Sequence, residues 1–375
     1  MTDLTPVGEP AEVVDQLRGW LDGPADVRLV VATSGSTGAP KRVALTRDAV
    51  LASVAASARR VGATGPWVLA LPSTYVAGVQ VVVRSLVAGH DPVLLEGDGW
   101  PPGEGWFVSL VPTQLGRLLA DPGAAAALRR AHTVLLGGGP IDPALRQEAA
   151  AAGVRVVATY GAAETAGGCV YDGVPLDGVA VALGDGGRIR IAGPTLFEEY
   201  VDDDALTART LVDGWYLTSD AGRFDEDGRL VVLGRLDDVV VSGGVNVPAV
   251  AVAARLREHP AVAAAEVLGV PDEDWGNRVV AFVVPGALVS RLASLAPEPA
   301  ASEPILDELR DWVAQTHPRP WAPRQLVVVD DIPLLPNGKP DRQALLALAG
   351  SVGGRGGRPG DRHETPRPSR DRSDA

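Results

Sequence analysis

The sequence predicts an α/β protein with a large N-terminal domain built on parallel sheet, a small β-rich subdomain within it, and a smaller α+β C-terminal domain. Two observations predict this. Over the first two thirds of the chain, short runs rich in β-branched residues alternate with helix-length stretches, the pattern of parallel strands joined by helices. From Arg188 the texture changes to short strands and tight turns, and after Arg235 a second mixture of strands and helices begins.

In chain order, residues 27–32 read as a strand that runs into a Gly/Ser/Thr loop, and residues 67–71 as another, stopped by Pro72. Residues 76–87 are apolar almost throughout. Their β-branched side chains crowd a helical length, so the run fits a buried helix or a buried strand. Residues 113–120 read as a helix, and residues 133–136 as a strand entering Gly137-Gly138-Gly139. Residues 142–152 read as a helix, with Pro143 in its first turn and Gly153 past its end. A strand follows at 154–158. The β-rich subdomain is carried by RIRIAG, DGWYLTSD and DEDGRLVVLG. Beyond it, 238–241, 262–267, 278–284 and 325–329 are strand-like, 248–259 and 303–316 helical, and 286–302 a surface loop. The domains therefore fall at 1–236 and 237–349. Residues 350–375, rich in Gly, Pro, Arg and Ser and without large apolar side chains, predict a disordered tail.

The bulk properties exclude several functions. Apolar residues make up 46% of 375, enough for a large core. A net charge of -13 argues against a nucleic-acid partner, which needs a basic surface. Local phosphate sites remain open to an acidic protein, because backbone N–H groups and single cations can build them. Cys169 is the only cysteine, so no intrachain disulfide forms, as fits a reducing compartment. The start, MTDLTPVGEPAEVVDQ, lacks the basic and apolar regions of a signal peptide. No run approaches the roughly 20 apolar residues of a membrane helix. The expectation is a cytoplasmic protein without membrane insertion; the oligomeric state stays open, a homodimer included.

The stretch richest in chemistry is Thr33-Ser34-Gly35-Ser36-Thr37-Gly38-Ala39-Pro40-Lys41, directly after a predicted strand. Its glycines let backbone N–H groups close on an anion, and four hydroxyls and a lysine add donors for phosphate oxygens. It does not align with the GxxxxGK[ST] loop. An ordinary polar turn is the bland alternative; the density of donors favours phosphate.

This loop resembles that of the adenylate-forming superfamily of acyl- and aryl-CoA ligases, luciferases and peptide-synthetase adenylation domains. Further stretches resemble the superfamily's other motifs, in its order, over about residues 28–345. Tyr160-Gly161-Ala162-Ala163-Glu164-Thr165 resembles YGxTE, and Tyr216-Leu217-Thr218-Ser219-Asp220 resembles YxTGD. Gly234-Arg235-Leu236-Asp237-Asp238, followed by Ser242-Gly243-Gly244, resembles the hinge and thiol-site motif. Leu335-Pro336-Asn337-Gly338-Lys339-Pro340-Asp341-Arg342 resembles the catalytic-lysine motif. Arg42, Ala163 and Ser219 depart from the usual Gly, Thr and Gly.

The resemblance implies an ATP-dependent acid–thiol ligase. It forms an acyl-adenylate with ATP and Mg²⁺, then transfers the acyl group to coenzyme A, with a mobile C-terminal domain turning about Asp237. Lys339, Glu164 and Thr37 take catalytic roles, and Glu164 also holds the metal. Nucleotide and cosubstrate contacts fall on Thr33, Ser34, Gly35, Ser36, Thr37, Gly38, Lys41, Gly138, Gly139, Tyr160, Gly161, Asp220, Arg235, Ser242, Gly243 and Gly244. Outside this context Tyr160 would read as a core aromatic, Glu164 and Arg235 as surface charges, Asp220 as a turn residue and Lys339 as a solvated loop lysine.

Two further stretches are similar to o-succinylbenzoate–CoA ligases of menaquinone (vitamin K2) biosynthesis: 71–84, and 167–178, whose YDGVPLDGV run resembles actinobacterial members. The acid implied, 2-succinylbenzoate, carries two carboxylates. Arg84 stands in the apolar run VQVVVRSLV, where a charge must find a partner or the surface. A snorkelling or ion-paired arginine is the bland alternative. A bidentate receptor for the aromatic carboxylate is the sharper one. Ser73, Thr74, Tyr75, Ser109, Thr113 and Gly168 are the other expected substrate contacts. Cys169 reads as a packed wall residue, since the reaction takes its thiol from the acceptor. Rival functions are a ligase for another aryl or fatty acid, an adenylation enzyme charging a carrier protein, and a non-catalytic nucleotide-binding protein. No carrier domain is evident, and Lys41, Glu164, Asp220, Arg235 and Lys339 stand together against the last.

Overall fold

The structure is a computed structural model that describes residues 3–33, 40–286, 302–335 and 340–353. Its centre is a seven-stranded sheet. In spatial order the strands are Val174–Pro175, Gly167–Tyr171, Val156–Ala162, Thr133–Leu136, Phe107–Leu110, Trp67–Leu69 and Val93–Leu94. The five from Val156–Ala162 onward are parallel, and the first two join antiparallel. Burial on both faces explains why these strands read as apolar runs rather than alternating ones.

The Val76–Val87 helix packs on this sheet and on the Pro10–Asp22 and Arg47–Val61 helices. Its sequence fits either state because nearly every side chain from Val79 to Ser85 is buried. Burial all round, not propensity, decides the outcome. The opposite face carries the Pro112–Ala120, Pro122–Leu128 and Pro143–Ala151 helices, which share a core with Val68, Val108 and Val134. Each of these three helices opens on a proline, where the missing N–H leaves no helical bond unmade.

A four-stranded sheet runs Asp3–Leu4, Arg28–Ala32, Arg42–Leu45, Glu199–Tyr200. Its two central strands are antiparallel neighbours, so residues 33–41 connect the arms of a hairpin. The expected β-rich subdomain is a five-stranded sheet of Ala180–Leu183, Arg188–Ala192, Trp215–Phe224 and Leu211–Val212, with Leu230–Arg235 paired to Trp215–Phe224.

After the turn Leu236–Asp238 comes a fourth sheet, Val245–Pro248, Val239–Ser242, Gly276–Pro285, Val262–Asp272, with Gln325–Val328 parallel to Gly276–Pro285. It packs between the Ala249–Arg257 and Ser302–Ala314 helices on one side and the Arg342–Gly353 helix on the other. Two core clusters draw only on residues up to Leu230, and two only on residues from Val240 onward. The last helix continues to Gly353, into the segment read as a tail. The rest of that segment, and the loop at 287–301, lie outside the described residues. Among the described residues no helix is long and apolar enough to cross a membrane.

Candidate functional site

The parallel strands end at a cavity of about 370 Å³. Such a position, beyond the carboxyl ends of the strands, is where open α/β sheets bind ligands. The hairpin brings Thr33 and Lys41 to its wall: Thr33 N–H donates to the Lys41 carbonyl at 2.8 Å, and Lys41 N–H to Thr33 Oγ1 at 3.3 Å. The two ends of the 33–41 connection are thus clamped together. Ser34, Gly35, Ser36, Thr37 and Gly38 lie outside the described residues, as does Lys339.

Tyr160 and Gly161 sit on the Val156–Ala162 strand, which runs past the expected end at 158. A Cβ on Gly161 would collide with the carbonyl of Gly167 on the neighbouring strand, so only glycine permits this pairing. The strand gives way to a tight turn, Ala163–Thr165, that carries Glu164. Thr165 Oγ1 accepts from Ala162 N–H at 2.9 Å and donates to the Gly167 carbonyl at 2.7 Å, which fixes the turn. Glu164 is buried yet lines the cavity, and Tyr200 O–H donates to its Oε1 at 2.7 Å.

Asp220 and Arg235 face each other across paired strands and both line the cavity. Tyr160 does not line it; its O–H donates to Asp220 Oδ2 at 2.7 Å. Burial, and then the Asp220 carboxylate, push the Tyr160 phenol well above its ordinary pKa, so it stays a donor. Gly138 lines the cavity; Gly139 is exposed and does not, with Gly137 in its place.

Of the positions expected to contact substrate, Tyr75, Arg84, Ser109 and Gly168 line the cavity. Ser73, Thr74 and Thr113 are not in its wall. Ser73 is buried beside the start of the Val76–Val87 helix, and Thr113 is exposed on the first turn of the Pro112–Ala120 helix. Leu71 and Pro72 take the wall position instead. Arg84 is only 6% exposed. Its Nη2 donates to Tyr171 O–H at 3.4 Å, and its guanidinium lies 5.0 Å from the centre of the Trp67 ring. Among the described residues no carboxylate pairs with it, and its Nε has no partner. A buried guanidinium without a carboxylate is expensive in a protein interior, and an anionic ligand would offset the cost.

The Ser242-Gly243-Gly244 segment forms the turn between the antiparallel strands Val239–Ser242 and Val245–Pro248 and does not line the cavity. Gly243 N–H donates to the Trp275 carbonyl at 2.9 Å, and a Cβ there would meet the indole ring. Asp237 falls within the turn Leu236–Asp238 between the two groups of sheets. Cys169 is fully buried, and burial pushes its thiol up to about 12, so no thiolate is present at neutral pH.

Four wall or support residues escaped the sequence reading: Gln80, Tyr171, Tyr200 and Tyr216. Gln80 donates through Nε2 to the Ala166 carbonyl at 2.8 Å. Tyr171 O–H pairs with Ser57 Oγ at 2.8 Å. Gln80, Tyr171 and Tyr216 lie within stretches quoted above but are given no role there, Tyr200 lies outside them all, and each acts through contacts distant in sequence.

Comparison with known proteins gives a consistent relationship. Residues 9–201 match the family described as AMP-binding enzyme, and residues 251–339 match the AMP-binding enzyme C-terminal domain. The chain is similar to a probable 2-succinylbenzoate–CoA ligase of Mycobacterium tuberculosis, with 43% identity over 86% of this chain and 84% of that protein. It is also similar in structure to the o-succinylbenzoate coenzyme A synthetase of Bacillus subtilis in complex with its acyl-adenylate intermediate. There the TM-score is 0.68 and the identity 27%, over 84% of this chain and 68% of that one. The same enzyme in complex with ATP and magnesium ion matches with a TM-score of 0.68 and 26% identity, over 84% and 69%.

Proposed function

This chain belongs to the AMP-binding enzyme family, and we propose that it is an ATP-dependent ligase converting 2-succinylbenzoate to its CoA thioester through an acyl-adenylate. The observation that carries the choice of acid is Arg84: a buried guanidinium without a carboxylate partner, in the same cavity as Glu164, Asp220, Arg235 and Lys41. A diacid fits that wall. One carboxylate is taken up bidentately by Arg84, and the other reaches the nucleotide.

In the first half-reaction a carboxylate oxygen of the acid attacks the α-phosphorus of ATP. The bond from that phosphorus to the bridging oxygen breaks, and pyrophosphate leaves with the electron pair. Lys41 and the hydroxyls and N–H groups of residues 33–38 bind the phosphates. Asp220 accepts from the ribose hydroxyls, and Arg235 faces the ribose and α-phosphate. Lys339 bridges the carboxylate and the α-phosphate, stabilising the charge that builds up and holding two anions together. Glu164 is the residue to hold Mg²⁺. Among the described residues no cluster of three metal-ligating side chains exists. This donor set suits an ion that takes one or two carboxylates and completes its shell with phosphate oxygen and water. When bound, the ion supplies neutralisation of phosphate charge.

In the second half-reaction the thiol of coenzyme A attacks the acyl carbonyl and AMP leaves. For this step residues 237–349 rotate about Asp237, withdrawing Lys339 and turning Ser242, Gly243 and Gly244 toward the cavity that residues 1–236 form. The glycines there let a pantetheine arm pass close to the backbone.

The test is AMP and thioester formation from MgATP, coenzyme A and a panel of acids. The diacid should give both products, and benzoate and fatty acids little of either. No AMP from any acid would end the ligase reading, and AMP formed best from a monoacid would remove 2-succinylbenzoate alone.

A further inference from the structure

Tyr200 is 2% exposed, and the site uses both its ends. Its hydroxyl donates to Glu164 Oε1 at 2.7 Å, while Lys41 Nζ stands 5.5 Å from its ring centre. The geometry points to Tyr200 as a positioning residue that holds the cation-binding carboxylate and the phosphate-facing ammonium in one fixed relation. This rests on the reading of Glu164 as metal ligand and Lys41 as phosphate donor.

The surroundings explain why this tyrosine can do so. The Glu199–Tyr200 strand pairs with Arg42–Leu45, Tyr200 opposite Val43, so its backbone is locked to the strand that follows Lys41. Three residues earlier, Phe197 N–H donates to the Glu164 carbonyl at 2.9 Å. The same short segment therefore grips Glu164 by main chain and side chain. Phe197 packs on the Tyr200 ring at 4.8 Å between centres and on Tyr216 at 5.7 Å, which keeps the phenol from swinging away. With Oε1 held, the other carboxylate oxygen has a defined direction, and orienting it on cation binding requires little further ordering. The ring face offers Lys41 a weak electrostatic seat, so its ammonium is guided without being neutralised by a carboxylate.

The test compares Y200F, Y200L and E164Q with the wild type. Affinity for manganese(II)–ATP is measured directly from free manganese by electron paramagnetic resonance, with thermal unfolding of each variant alongside. Y200F keeps the ring and removes only the donor. It should weaken cation–nucleotide affinity by about tenfold, the usual effect of losing a group that orients a metal ligand, and leave binding of metal-free ATP unchanged. Y200L removes the seat for Lys41 as well and should also weaken metal-free ATP. If E164Q lowers manganese–ATP affinity and Y200F does not, Tyr200 is only a packing residue and the inference is overturned, whatever the change in Tm. If E164Q itself leaves the affinity unmoved, Glu164 is not the ligand and the premise falls with it.

Discussion

The phenol of Tyr160 donates a 2.7 Å hydrogen bond to Oδ2 of Asp220 and so ties the Val156–Ala162 strand of the large sheet to the Trp215–Phe224 strand of its neighbour. An ionised carboxylate has about four acceptor directions. The phenol takes one of these directions and so orients the Asp220 carboxylate.

Replacing Tyr160 by Phe keeps the ring and removes that bond. A hydrogen bond to a charged group contributes roughly 1.5–3 kcal/mol, but only the part spent on aiming Asp220 appears in catalysis. The KM for ATP should rise several-fold with kcat little changed, as steady-state rates at saturating acid will read. A fall in kcat at constant KM would mean that Tyr160 acts on the reacting atoms and not on the ribose.

Three phenols at this site are pushed well above their ordinary pKa: Tyr160, Tyr200 and Tyr216. Burial is the main cause in each, and the carboxylates of Asp220 or Glu164 add to it. In the unfolded chain these phenols ionise near pH 10, while in the folded protein they keep their protons. Unfolding then releases protons, so stability is full below about pH 10 and falls as pH climbs above it. Tm measured against pH should bend downward there, and Tyr216→Phe should flatten the bend. A wild-type Tm unchanged across that range would contradict the burial of these groups.

Arg84 gives the sharpest functional prediction. Arg84→Ala removes the cation proposed to receive the second carboxylate, and truncating one partner of a buried charge pair costs about 2–5 kcal/mol. The kcat/KM for 2-succinylbenzoate should fall at least thirtyfold, mostly through KM, and preference over monoacids should shrink with it. Arg84→Lys should rescue only in part, because an ammonium cannot reproduce the bidentate fork. The same KM in Arg84→Ala as in wild type would place the second carboxylate elsewhere.

Much of this architecture is readable in the residues, for particular reasons. Thr133–Leu136 forms a strand over its expected span, because a short apolar run stopped by glycines leaves little choice. The expected helix at 142–152 is observed as Pro143–Ala151, with Asp142 capping it through its side chain. The pattern reading assigns no element to Pro10–Asp22 or Arg47–Val61, yet both are helices, and local signals exist for them. Pro10 stands in a first turn, Thr46 accepts from Ala49 N–H, and Gly62 ends the second helix in a left-handed conformation. Tyr200 is a different case. Its strand has two residues and its partner lies 36 positions away, so nothing local distinguishes it. The motifs mark Lys41, Glu164, Asp220 and Arg235, which line the cavity, while the contact that holds Glu164 through Tyr200 is set by tertiary packing.

The pair Asp238–Arg342 should prove strongly coupled. Arg342 Nη1 donates to Asp238 Oδ1, and Nη2 donates to Oδ2 at 2.6 Å. The two side chains are 6% and 28% exposed, so each loses most of its hydration and depends on the other. Asp238 closes the turn at the junction of the two groups of sheets, and Arg342 opens the final helix, directly after the bridge between Leu334 and Pro340. Burial raises the pKa of nearby Glu266, while Arg257 and Arg342 act to lower it, so removing Arg342 exposes Glu266 to more of that penalty. Arg342→Met should therefore destabilise by about 3–5 kcal/mol and Asp238→Asn by a smaller amount. The double variant, with no charge left unpaired, should cost at least about 1 kcal/mol less than the sum. Urea denaturation of the four proteins measures this cycle. Strict additivity would mean that the two groups are each solvated well enough to stand alone, and that the link between the junction turn and the last helix contributes nothing.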